Sequence, residues 1–170
     1  QPFYRKEDLK GLKTTVSAPG QFPYVRGTKE NNEWAIRQNI CACKNARKAN
    51  AKALEVLSKG ITALGFCLNK EKLNYRFIKN LLADIPADKV AINSICACGA
   101  AQLAGILVRY YGRMGYNVKQ LVGSINVDPI KQMLVKGKPL SREQVITKIV
   151  DVVKAAKSLP GYRVVGVNTI

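Results

Sequence analysis

The 170-residue chain has no histidine, only 11 acidic residues against 28 lysines and arginines, one tryptophan and two methionines. Without histidine there is no imidazole to complete a mixed metal shell or to act as a general acid. No uncharged apolar run reaches about 18 residues, so no segment reads as a membrane span. The opening stretch QPFYRKEDLKGL has no apolar signal-peptide core, and a cytoplasmic chain is expected. The five cysteines, Cys41, Cys43, Cys67, Cys96 and Cys98, are odd in number; with no secretory signal, that favours reduced thiols over a disulfide framework. No G-x-G-x-x-G opens a helix after the first strand, which leaves a dinucleotide site unsupported.

The shortage of acidic residues leaves a formal net charge of +17. A field of that sign attracts polyanions. Yet the basic residues are scattered, with no block of five or six in a row and no interleaved aromatic platforms, so no nucleic-acid partner is expected. The plainer reading is a solvated surface whose acidic counterpart lies on a partner or elsewhere in the protein. A basic polyanion-binding module is the alternative, tested by salt-sensitive retention on a phosphate-bearing resin.

What is there suits one sizeable core, with 47% apolar residues. Residues 1–33 carry Pro2, Pro19-Gly20, Pro23 and Gly27 without sustained periodicity and read as an extended N-terminal arm. Its apolar residues Phe3, Tyr4, Leu9, Leu12, Phe22 and Tyr24 need a surface, so the arm is expected to lie across another domain or subunit. From residue 34 to 170 a β-α rhythm follows. Strands are expected at WAIRQNI (34–40), ITALGFC (61–67), KVAINSI (89–95), LVGSINV (121–127) and the closing YRVVGVNTI. Helices are expected over 44–59, 75–85, 99–114 and 141–159, with a short helical piece from Asp128-Pro129 to Gly137. Asp128-Pro129 reads as a helix-initiating turn rather than an acid catalyst. Ser141 with Gln144 has capping-box spacing. Such α/β alternation demands parallel (β/α) repeats with right-handed crossovers. An open doubly wound sheet and the first part of a TIM barrel both fit. With no helix after the fifth strand, a fragment is expected.

In order along the chain, PFYRKEDL, PGQFPYVRG, W-x-I-R-Q and GSINVDPIKQML resemble the N-terminal half of the methylmalonyl-CoA mutase family. The resemblance covers nearly all 170 residues. It implies a TIM-barrel domain, of which residues 34–170 would supply roughly the first five strands, and an isomerase that uses adenosylcobalamin to interconvert methylmalonyl-CoA and succinyl-CoA. Heteromeric members pair a catalytic large subunit with a related small subunit that has lost its active site. The departures here resemble the small one. The family's Y-P-T-M-Y loop is shortened to TKENNE, Ala35 stands for a threonine, Asn39 for a tyrosine, and Asn168 for the histidine that polarises the thioester.

The resemblance implies vestigial substrate contacts at Arg37, Gln38, Ser124, Asn126 and Asn168, no catalytic residue, and no cofactor bound by this chain. Arg37 reads more readily as a structural arginine pairing with a carbonyl or a partner carboxylate than as a contact to CoA. In the whole enzyme the resemblance implies a heterodimer with the large subunit, serving propionate metabolism; a catalytically active mutase with a divergent site is the rival. In a barrel, Cys41, Cys43, Cys67, Cys96 and Cys98 would all rim the catalytic face. Four thiolates there could hold zinc or an iron–sulfur cluster, but both pairs are C-x-C rather than the usual wider spacing, and space-filling thiols with no metal are the plainer expectation.

Overall fold

The computed structural model describes residues 3, 5–12, 17–69, 73–95, 99–137 and 139–166. The chain divides into two compact units, Gln1–Trp34 and Ala35–Ile170. Tyr4, Cys96, Cys98 and Asn168 fall outside the described residues.

In the first unit, Lys6–Leu9 form a single 3-10 turn, and the Arg5 N–H donates to Asp8 Oδ2 at 2.6 Å. Residues 20–27 close on themselves in a local turn. Gly20 N–H donates to Gly27 O at 2.9 Å, and Tyr24 N–H to Gln21 O at 2.7 Å. Gly20 sits at φ 79°, and a Cβ there would press on the Glu30 backbone nitrogen at 2.9 Å, so only glycine suits this turn. The ammonium of Lys29 lies 5.6 Å from the Trp34 ring centroid, a cation–π contact that gives the polar loop a local partner for the tryptophan.

In the second unit the order is β1 (Arg37–Cys41), α1 (Ala46–Ser58), β2 (Ala63–Cys67), α2 (Tyr75–Leu81), β3 (Ala91–Ile95), α3 (Ala100–Arg113), β4 (Gly123–Val127), α4 (Pro129–Lys136), α5 (Arg142–Ala155) and β5 (Tyr162–Val165). The five strands pair in parallel in the order β1-β2-β3-β4-β5. A doubly wound sheet reverses its order at a switch point; this one advances one strand at a time. It is an α/β fold consistent with part of a TIM-like barrel.

Local chemistry sets the element ends. The side chains of Asn45, Asn74, Asp128 and Ser141 accept the N–H groups that α1, α2, α4 and α5 leave unpaired at their starts. Ser141 and Gln144 form the expected capping box. Helix α2 stops at Leu81 rather than 85, because Asn50 of α1 donates to the carbonyls of Leu81 and Ala83 at 3.0 and 2.7 Å and Asp84 turns at φ 60°. β3 starts at Ala91, not Lys89, since the N–H groups of Lys89 and Val90 are held by Pro86 O at 3.0 Å. β1 starts at Arg37, so Trp34 does not head the strand.

Right-handed crossovers with sequential strand order place the helices on one face of the sheet. Ile40, Leu64, Phe66, Ile92, Ile125 and Tyr162 of the strands share one buried cluster with Ala46, Ala49 and Ala53 of α1, Ile78 of α2, Leu103 and Tyr111 of α3, and Val152 of α5. Three alanines on α1 keep that helix close to the sheet, so packing rather than propensity decides its orientation.

Candidate functional site

Residues paired in register across parallel strands share a face. Asn39, Gly65 and Asn93 align across β1, β2 and β3. Ser124 and Arg163 continue the same row on β4 and β5. This row alternates with the core-packed set, so it lies on the face away from the helices. Buried parallel strands ordinarily read as continuous apolar runs, and barrel interiors are filled by bulky branched side chains. Here four of the five side chains in the row are polar and the fifth is absent.

The row is internally tied. A Cβ on Gly65 would collide with Asn39 Oδ1, so the glycine makes room for that amide. Ser124 Oγ donates to Asn93 Oδ1 at 2.8 Å, and Asn93 Nδ2 donates to Leu64 O at 3.1 Å. Ser94, on the other face, donates to Ser124 O at 2.9 Å. Among the described residues no buried side-chain nitrogen or oxygen lacks a hydrogen bond.

Of the residues singled out from sequence, Arg37, Ser124 and Asn126 share this face. Arg37 sits one pleat before Asn39, its Cδ 3.6 Å from where a Gly65 Cβ would stand. Asn126 follows Ser124 and lies beside Gly166, its Oδ1 3.7 Å from where a Cβ would stand there. Gln38 does not join them: it aligns with Leu64 and alternates to the helix-packed face, donating to Asn39 O at 3.2 Å. Asn93 and Arg163 were not singled out from the sequence. Their signal was a polar residue set inside a strand otherwise largely apolar, as in A-I-N-S-I and Y-R-V-V.

The thiols gather at the carboxyl ends of β1 and β2. Cys41 and Cys67 are register partners, and Cys43 donates its S–H to Cys67 O at 3.5 Å. Hydrogen bonds from the Cys43 backbone N–H and thiol, aided by the charge of Lys44, hold the Cys41 pKa below its ordinary value. Burial pushes that of Cys43 up. Among the described residues no group of three His, Cys, Asp or Glu side chains is arranged to hold a metal ion. Beside the thiols, an open cleft of about 430 Å³ runs between Lys44 and Arg47 at the start of α1 and Asn74, Phe77 and Asn80 along α2.

The family model described as methylmalonyl-CoA mutase matches residues 1–71. The methylmalonyl-CoA mutase small subunit of Porphyromonas gingivalis is 40% identical over 170 residues, which cover 99% of this chain and 27% of that relative. The chain thus spans about a quarter of the relative's length.

Proposed function

We propose that this chain, matched over residues 1–71 by the methylmalonyl-CoA mutase family model and 40% identical to a small subunit of that enzyme, is part of a small, non-catalytic subunit of the family. Such a subunit would be the structural partner of a catalytic large subunit in the adenosylcobalamin-dependent isomerisation of methylmalonyl-CoA and succinyl-CoA, a cytoplasmic step of propionate metabolism. The observation that carries this reading is the bonded Ser124–Asn93 pair in the polar row. Where the family resemblance calls for a tyrosine, Asn39 lies over Gly65, and the Ser124 hydroxyl is spent on Asn93. A hydroxyl bonded to a neighbouring amide is not directed at an incoming thioester.

The donor set does not suit adenosylcobalamin. These residues include no imidazole, so none of them would ligate the cobalt, and the cofactor would be held elsewhere in the enzyme. What this chain contributes is surface. Ile130, Leu134 and Val135 of α4 and Ile146, Val150 and Val153 of α5 are exposed, as are Phe22 and Trp34 in the first unit. Apolar side chains gathered in this way suit burial against a protein partner, with residues 1–33 wrapping it. The net charge of +17 suits an acidic surface on that partner. Among the described residues no helix is long and apolar enough to cross a membrane.

Calorimetric titration of the full-length protein, purified without the large subunit, tests the reading. Neither acyl-CoA nor cobalamin is expected to bind in the micromolar range; micromolar binding of either would overturn it.

A further inference from the structure

The thiols at the ends of β1 and β2 have no part in the role proposed above. Cys41 is exposed, while Cys43 and Cys67 are half-buried. Cys67 O accepts both the Ala42 N–H at 3.0 Å and the Cys43 S–H. The first bond continues the ladder one residue past β1, and the second turns the Cys43 thiol onto the end of β2. Cys41 and Cys43 thus both stand beside Cys67, one as its strand partner and one through its thiol, and each shifts the pKa of the other. Cys67 stands on the same face as the register partner of Cys41.

We propose that Cys41 and Cys43 form a thiol–disulfide exchange site for low-molecular-weight disulfides, with Cys41 the attacking thiol, Cys43 the resolving thiol and Cys67 O the acceptor that positions Cys43. Exposure of Cys41 gives access, and Cys43, two residues on and held beside the strand partner of Cys41, supplies the second sulfur. The hydrogen bonds and the nearby Lys44 that hold the Cys41 pKa down raise its thiolate fraction, and the thiolate is the nucleophile. In the first step the Cys41 thiolate attacks one sulfur of a disulfide R–S–S–R. A Cys41–S–S–R bond forms and one R–S⁻ leaves. In the second, Cys43 loses its proton to water and its thiolate attacks Cys41 Sγ; the Cys41–Cys43 bond forms and the second R–S⁻ leaves. Two protein thiols are oxidised and one external disulfide is reduced to two thiols. The product would pull on residues 42–44, directly before the Asn45 cap of α1.

The test uses the full-length protein, incubated with oxidised glutathione and read by intact mass and peptide mapping. The unaltered protein is expected to acquire a Cys41–Cys43 bond with no retained glutathione. Cys43→Ser is expected to trap one glutathionyl group on Cys41, Cys41→Ser to leave residue 43 unmodified, and Cys67→Ser to behave as the unaltered protein. A Cys41 that stays reduced while other thiols react, or a bond from Cys41 to Cys67, Cys96 or Cys98, would overturn the proposal. Mapping the unaltered protein requires no variant to fold. The readout is a mass, so it stands or falls independently of any mutase partner.

Discussion

Tyr111 and Tyr162 face each other inside the core, their hydroxyls 2.7 Å apart. Removing one hydroxyl strands the other without a partner. Tyr111→Phe is therefore expected to cost about 1–3 kcal/mol in urea unfolding, while the double change Tyr111→Phe with Tyr162→Phe recovers most of that loss. Burial raises Tyr162 to about 12, and burial, with smaller contributions from neighbouring tyrosines, raises Tyr110 to about 12. A raised phenol stabilises the fold fully below the unfolded tyrosine pKa of about 10, and that stabilisation is lost as pH climbs through about 12. A tyrosinate absorbance titration should show these two ionising late, with unfolding in the same window; ionisation of every tyrosine near 10 without unfolding would contradict the packing. At this scale the sequence was only partly legible. Arg37, Ser124 and Asn126 could be singled out, but Gln38 lies on the other face. Which neighbour shares a face depends on where the strand begins, and a three-residue error in the start of β1 hides that.

Among the elements, α1 and α2 are joined by Asn50, which holds two carbonyls at the end of α2. Asn50→Ala leaves both without their side-chain donor and should destabilise by about 1–3 kcal/mol, with faster amide exchange through residues 81–84. On α1, Glu55 is held down to about 2 by Lys59 and Lys52. Its contribution is present above the ordinary carboxylate pKa and fades as pH falls through about 2; because the pair is exposed, high salt should erase it. In β4, a Cβ on Gly123 would strike the Ile92 carbonyl and approach the Tyr162 ring to 2.7 Å. Gly123→Ala should then cost at least about 1–3 kcal/mol, checked by denaturant midpoint. Helix starts were readable because caps are local chemistry, as at Asn45, Asn74 and Ser141. The end of α2 was not, because Asn50, which fixes it, lies in the preceding helix.

For the whole molecule, alternating strands and helices announced an α/β fold, yet alternation alone allowed two sheet orders. The choice between them is made by contacts between strands distant in sequence, and the order β1-β2-β3-β4-β5 settles it in favour of the barrel-like arrangement. The same order gathers polar residues of four strands, with Gly65 of the fifth, into one row, which no single strand displays. The proposed role, as part of the structural partner in a two-subunit mutase, meets its most direct test in methylmalonyl-CoA turnover. The full-length protein would be supplied with adenosylcobalamin and assayed with and without the large subunit. Turnover only when the large subunit is present, in a complex that co-purifies with it, is the predicted result; turnover by the protein alone would contradict it.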